Sequence, residues 1–343
     1  DFKRHAIQNC LYGVDIDLGA VEIAKLRLWL SLIVDEEDIK QIKPLPNLDY
    51  KIIQGNALLA VEKNSLFVSH WMQELEKVKG QFFSETSPTK KHEYKEKIDE
   101  LLGQITNGNK DFDFEVYFSE VFKEKGGFDI VIANPPYVFT RGAGFTESFK
   151  KQIEKLYFCG KGKINLFPLF IERASKVLKN GGIYIYIIPN TLFRATSYKL
   201  AREYIVKRNR ILQIVDLHSG VFENVTASTT VIEIQNEPTP NEKVEIIDDF
   251  KQLLAAKNTP RTISQRDFDK AEFVFAIYLN QQSNSLIEKI KQNSFELKGV
   301  CRDIIEGIVT PKGKSAFISD KAENKLYRPF LEGKDIDKYQ TKW

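Results

Sequence analysis

Through the first two-thirds of the chain, short apolar runs bounded by Gly, Pro and Asn alternate with stretches of helical period. That is the rhythm of an α/β fold. The clearest run, Ile130-Val-Ile-Ala133, is followed at once by Asn134-Pro-Pro-Tyr137. Its unbroken apolar character predicts a strand buried on both faces. Two prolines cannot extend a ladder, so the strand ends at Asn134. Upstream, residues 12–17 predict a strand ending in two carboxylates, Asp15 and Asp17. A helix follows over 20–32, with Ile23, Leu26, Leu30 and Ile33 along one side. Residues 50–54 predict a second strand, ending in Gly55-Asn56-Ala57. Residues 62–111 are polar and rich in Lys and Glu, with helical spacing over 74–79 and 93–102. They predict an exposed helical hairpin inserted between two strands, with 84–90 as its loop.

Downstream, 161–178 opens a helix stopped by Asn180-Gly181-Gly182, and 183–188 is a strand followed by Pro189-Asn190. A helix over 200–207, a strand over 211–217 and a last strand over 231–234 complete the alternation. The rhythm breaks at Pro238-Thr-Pro240, which places a domain boundary there. The expected domains are 1–237, with 62–111 as a helical insertion, and 241–343.

Composition changes this picture little. At 343 residues, 42% hydrophobic and 28% charged, the chain reads as globular and long enough for two domains. Cys10, Cys159 and Cys301 are widely separated with no histidine cluster nearby, which argues against a disulfide framework and a zinc site and fits a reducing cytoplasm. No apolar run approaches membrane-spanning length, and the opening residues are not expected to act as a signal peptide. Charge is more informative. Residues 141–212 hold 15 Lys and Arg against 4 Asp and Glu, a net of +11 in a chain whose total is +3. A basic block directly behind the 130–134 strand suits a polyanion-binding cleft, although solvated helix faces would carry the same charge. The 18 basic and 16 acidic residues of 241–343 nearly balance.

The candidate chemistry sits at the end of that strand, where open α/β sheets place their sites. An exocyclic amino group on a nucleobase is a poor nucleophile because its lone pair is delocalised into the ring. Two acceptors on its two hydrogens, the Asn134 side-chain oxygen and the Pro135 carbonyl, favour a tetrahedral nitrogen with an available lone pair. Pro135-Pro136 keeps the loop rigid, and Tyr137 offers a face on which an extruded base can stack. The bland alternative is a strand end with a tight turn. Arg141-Gly-Ala-Gly144 reads as a loop closing over an inserted base; Gly-x-Gly alone is weak evidence for a phosphate cradle.

With these residues the chain resembles the amino-methylating, S-adenosylmethionine-dependent DNA methyltransferases, and more narrowly the gamma-class adenine-N6 enzymes fused to endonucleases in Type IIG restriction-modification systems. The resemblance implies a Rossmann-like methyltransferase sheet, truncated at its N-terminus, followed by a mixed α/β target-recognition domain that is incomplete at its C-terminus. It implies S-adenosylmethionine as cofactor, double-stranded DNA as partner, and Mg²⁺ only for a nuclease domain outside this chain; methyl transfer itself needs no metal. By position in the family pattern, Asp15 takes the ribose hydroxyls, with Ile16 beside it, while Asp17 caps the helix or the turn. Asn56 stands where the family often has an acid that contacts the cofactor adenine amino group, and an amide oxygen can still accept that bond. Ala57 would lie against the adenine ring. Asn165-Leu166-Phe167 resembles the segment lining the cofactor and base pockets, with Leu166 and Phe167 equally suited to the core. Phe222 is the candidate for the second face of the flipped base, opposite Tyr137. Residues 304–310 and 327–339 resemble segments of target-recognition domains in Type IIG and Type I enzymes.

The glycine-bearing turn of the first cofactor motif would precede residue 1, so the chain is expected to be part of a larger enzyme and to hold the cofactor weakly by itself. Two other readings stay open at this point. One is a methyltransferase acting on RNA or on protein glutamine, since Asn-Pro-Pro-Tyr also serves those substrates. The other is a catalytically silent DNA-binding or specificity module, if Asn56 and the absent glycine turn reflect lost activity. Recognition sequence and oligomeric state are not legible.

Overall fold

The computed structural model describes residues 2–34, 45–61, 66–108, 111–139, 145–162, 165–218, 228–248, 250, 260–270, 273–278, 281–295, 297–301, 336–337 and 340–341. The chain forms two compact units, Asp1–Tyr278 and Leu279–Trp343.

The first unit opens with a short helix, α1 (Phe2–His5), and the strand β1 (Gly13–Asp15). Asp17 then accepts the Ala20 N–H at 2.7 Å and caps α2 (Leu18–Ile33), as its position before the helix predicted. That helix is apolar on two sides. Val21, Ala24, Leu28 and Leu32 pack with Ile7, Leu48 and Ile52. The stripe picked out in the sequence faces outward instead: Ile23, Leu26 and Leu30 are about half exposed. β2 (Ile52–Gln54) pairs with β1 in parallel, Asp15 opposite Gln54.

The inserted hairpin is present as α3 (Leu66–Ser84) and α4 (Pro88–Ile105). Its loop is shorter than expected, because Pro88 starts α4 at a position where a missing N–H costs nothing. Nor is the hairpin simply solvated. Leu75, Val78, Phe82, Ile98, Leu101, Leu102 and Ile105 form a core of their own with Tyr50 and Val116, and Lys79 is buried against the Tyr117 carbonyl and Glu120. The short helices α5 (Phe114–Tyr117) and α6 (Ser119–Lys125) lead into β3 (Phe128–Ala133).

From β3 the chain builds a six-stranded sheet. α7 (Glu147–Leu156) and α8 (Leu166–Val177) precede β4 (Leu178–Pro189). α9 (Lys199–Arg208) precedes β5 (Arg210–His218), and β6 (Thr229–Gln235), β7 (Val244–Ile247) and β8 (Arg261–Ile263) complete it in the order β3-β4-β6-β5-β7-β8. β3 and β4 are parallel, β6 is antiparallel to both β4 and β5, and β7 runs parallel to β5. The carboxyl ends of β3, β4 and β5 therefore share one edge. Helix α8 passes straight into β4 at Leu178, so Asn180-Gly181-Gly182 lies inside a strand rather than ending a helix. Gly181 adopts φ +76° there.

Two expectations fail here. β3 is not buried on both faces: Val131 and Ala133 pack on the main core, but Ile130 is 59% and Ile132 74% exposed. β3 is the outer strand of its sheet, and among the described residues nothing covers the face those two isoleucines share. The boundary expected at Pro238–Pro240 is not where the fold divides either. Beyond it, β7 and β8 extend the same sheet, and α10 (Gln265–Lys270) locks them to it. Gln265, fully buried, accepts N–H bonds from Ile211 (2.9 Å) and Asn241 (3.1 Å) and donates to the Val206 (3.0 Å) and Asn209 (2.7 Å) carbonyls. Arg202, also buried, donates to the carbonyls of Leu192, Ala195 and Phe273. Phe268 and Phe275 stack at 4.7 Å inside the same core.

The second unit is described in part: helices α11 (Gln281–Gln292) and α12 (Leu297–Val300) and a short antiparallel pair, β9 (Ile336–Asp337) with β10 (Gln340–Thr341). The 304–310 segment and most of 327–339 lie outside the described residues.

Candidate active site

Asn134, Pro135, Pro136 and Tyr137 follow β3 directly, at the carboxyl edge of the sheet. Pro135 is buried, Asn134 and Pro136 are exposed, and Tyr137 is half-buried. The Tyr137 hydroxyl lies 3.0 Å from the Asn134 side-chain oxygen and 2.9 Å from the Ile187 carbonyl in β4. A phenol has one proton, and a backbone carbonyl can only accept. The arrangement that satisfies all three groups sends that proton to Ile187 and turns the Asn134 NH₂ toward the phenolic oxygen, since amide O and N are assigned by such networks. Oδ1 of Asn134 then faces outward as a free acceptor. Burial pushes the Tyr137 phenol up from its ordinary range, which keeps the proton in place. The ring is braced edge-on by Phe167 at 6.3 Å; Phe167 itself is fully buried and belongs to the core.

A second group of candidates gathers at the carboxyl ends of β1 and β2. Asp15 Oδ1 accepts the Asp17 N–H at 2.8 Å, which leaves Oδ2 of this exposed carboxylate for a ligand. Gln54 donates to the Ile16 carbonyl at 3.1 Å, and Ile16 is 68% exposed. Asn56 Oδ1 already accepts the Leu58 N–H at 3.1 Å, so one lone pair and the NH₂ group remain. Gly55 permits a close approach that no other residue would: an added Cβ would stand 2.3 Å from the buried Phe112 ring.

Two residues that sequence reasoning missed bind these halves together. Arg173 of α8 donates through Nε to the Ala57 carbonyl at 2.9 Å and through a second nitrogen to that of Leu59. Tyr157 donates to the Leu58 carbonyl at 2.7 Å, with its phenol pushed up to about 12 by burial. At its other end, α8 is capped by Asn165, and the Leu166 N–H donates to the Val138 carbonyl at 2.9 Å. One helix thus holds both the Asn56–Leu59 turn and the chain leaving Tyr137. Arg173 sits in the middle of a helix with no motif around it, and only the tertiary fold shows what it grips.

The basic block looks different once partners are counted. Arg173 and Arg202 serve backbone carbonyls, while Lys150, Lys176, Lys179 and Lys207 pair with Glu147, Glu172, Asp129 and Glu203. The glutamates at 147, 172 and 203 are already counted in the net charge, so it is Arg173, Arg202 and Lys179 that draw on the +11. Phe222 and the 141–144 loop lie outside the described residues.

A family profile described as Eco57I restriction-modification methylase matches residues 9–222. The chain is 26% identical over 440 aligned residues to the type II restriction enzyme and methyltransferase RM.MjaORFECS2P of Methanocaldococcus jannaschii, with 99% of this chain and 36% of that protein covered. It is 24% identical over 324 residues to RM.Eco57I of Escherichia coli, with 92% and 28% covered. The chain spans about a third of the length of these curated relatives. Among solved structures, the Type ISP restriction-modification enzyme LlaBIII bound to DNA aligns with 9% identity and a TM-score of 0.43, over 78% of this chain and 16% of that one.

Proposed function

The chain belongs to the Eco57I restriction-modification methylase family, and from that premise we propose that it carries the methyl-transfer site of an adenine-N6 DNA methyltransferase. The parent protein would join this activity to an endonuclease, as both curated relatives are named restriction enzyme and methyltransferase. The observation that carries the proposal is the Asn134–Tyr137–Ile187 arrangement at the end of β3. With the Asn134 amide turned so that its NH₂ meets the phenol, the amide oxygen is left for a substrate, at a turn whose Pro135 is buried.

The residues at the ends of β1 and β2 fit the adenosine end of S-adenosylmethionine by their donor chemistry. An exposed carboxylate with one free oxygen suits ribose hydroxyls, an amide suits a base edge, and Ile16 and Ala57 suit its faces. When bound, that cofactor supplies an electrophilic methyl group on a good leaving group. The chain's own residues prepare the nucleophile. Asn134 Oδ1 and the Pro135 carbonyl each accept one hydrogen of the target amino group, which draws the nitrogen toward tetrahedral geometry and frees its lone pair. Tyr137 stacks on the flipped adenine, with Phe222 as the proposed second face. Burial of Pro135 and the bond from Tyr137 to β4 hold these acceptors in place before substrate arrives.

The test uses the full-length protein with plasmid DNA, RNA and a protein mixture, each incubated with methyl-labelled S-adenosylmethionine. Label recovered as N6-methyladenine in DNA is the expected result. Label confined to RNA or protein refutes the DNA reading.

A further inference from the structure

Two strands over from β4 along the carboxyl edge, β5 ends in a cluster that methyl transfer does not use. Asp216 is fully buried, accepts the His218 N–H at 2.9 Å on Oδ1, and takes the Tyr278 hydroxyl bond on Oδ2. The His218 ring comes back over it, Nδ1 3.4 Å from Oδ2, because His218 adopts a left-handed backbone, φ +55°. Its side chain is 54% exposed, so the ring reaches solvent. Tyr278 is half exposed, and Arg194, exposed just beyond β4, lies near enough for its charge to act on that phenol. Thr229, in register with both Pro189 and His218, buries a hydroxyl that has no partner among the described residues.

The cluster differs from the paired lysines of the 141–212 block in that its one carboxylate, Asp216, is buried and shared between His218 and Tyr278. A buried carboxylate fixes an imidazole by one nitrogen, on the edge of the sheet where the exposed Arg194 acts on Tyr278. Donors fixed in that way suit an anion. With a carboxylate at Nδ1 and an anion at Nε2, both ring nitrogens donate, as the imidazolium allows. β5 stands three strand spacings from β3, about 14 Å, which is about four base pairs of B-form rise. Resting on the DNA methyltransferase reading above, we infer that His218 and Arg194 seat a backbone phosphate of the duplex that delivers the target adenine. Asp216 is the positioning residue that holds the imidazole in place. The seat carries no sequence information and fixes register on the duplex.

The test is a salt titration of duplex binding by the full-length protein, read by fluorescence anisotropy on a labelled duplex, for wild type, H218Q, R194A, the double variant and K123A as a control far from this edge. Each phosphate contact removed lowers the slope of log K against log salt by about 0.9. The expected result is a slope lowered by about 0.9 in the double variant, by up to that amount in H218Q and in R194A, and by nothing in K123A, with melting temperatures unchanged. D216N should follow H218Q in slope; if D216N unfolds, H218Q alone carries the test. Wild-type slopes in both H218Q and R194A, in a protein that methylates DNA, overturn the phosphate seat and leave the catalytic reading standing. A wild-type protein that neither binds nor methylates duplex DNA removes both.

Discussion

Replacing Gln265 with Leu tests whether the stretch after Pro240 belongs to the methyltransferase unit. The side chain is fully buried and makes four bonds, two as acceptor from the Ile211 and Asn241 N–H groups and two as donor to the Val206 and Asn209 carbonyls. Leucine fills the volume and satisfies none of them. The N–H groups suffer most, because a buried donor without a partner costs about 1–3 kcal/mol. Two orphaned donors therefore imply a loss of about 2–6 kcal/mol, a large part of the roughly 5–15 kcal/mol typical of whole domains. At about 2 °C per kcal/mol for a unit of this size, melting should fall by about 4 °C or more. Gln265→Glu keeps both acceptors but faces two carbonyls with a carboxylate, so it should also destabilise at neutral pH. The deficit should shrink in acid, where a protonated carboxyl can donate one of the lost bonds. Calorimetry and urea unfolding followed by tryptophan fluorescence would measure both variants. A Gln265→Leu protein within about 1 kcal/mol of wild type would refute the reasoning, since a change that size is within reach of an ordinary surface substitution. So would an early separate transition for the β7–β8 region, which would mean that region folds on its own.

Other expectations concern the candidate site. Asn134→Ala should lower methylation by about 10²–10³-fold, the usual loss for one preorganised polar group, while duplex binding measured by gel shift stays within a few-fold. Tyr137→Phe keeps the ring and loses the bond to Ile187, so kcat should fall about fivefold, one neutral hydrogen bond's worth of about 1 kcal/mol. Tyr137→Ala should fall further by the base-stacking energy of about 1–3 kcal/mol; equal losses in the two variants would rule out a stacking role for the ring. Arg173→Ala releases the Ala57 and Leu59 carbonyls, so the KM for S-adenosylmethionine should rise more than kcat falls. A steady-state split in the opposite sense would show that Arg173 does not shape the cofactor end.

Most of the strands and helices between Tyr12 and Gln235 were legible in sequence, because each carries its own period and its own punctuation. Asp17 before an apolar helix and two prolines after an apolar run act through neighbours a few residues away. The Asn-Pro-Pro-Tyr strand end was legible for the same reason: donors, acceptors and rigid turn lie within four residues. What the sequence could not contain is which of two apolar faces meets a partner. Leu26 and Leu28 are equally hydrophobic, yet Leu26 is half exposed while Leu28 packs against the core. Ile130 and Ile132 could be called buried only by ignoring that β3 would be an outer strand. The break in rhythm at Pro240 was real in the sequence and misleading as a boundary, since β7 and β8 join by backbone pairing that leaves no periodic trace. Arg173, Arg202, Asp216 and Gln265 each reach at least one group 54 to 116 residues away. Local chemistry is written along the chain; the choice of distant partners, and with it the grip of α8 on both halves of the site, exists only once the chain has folded.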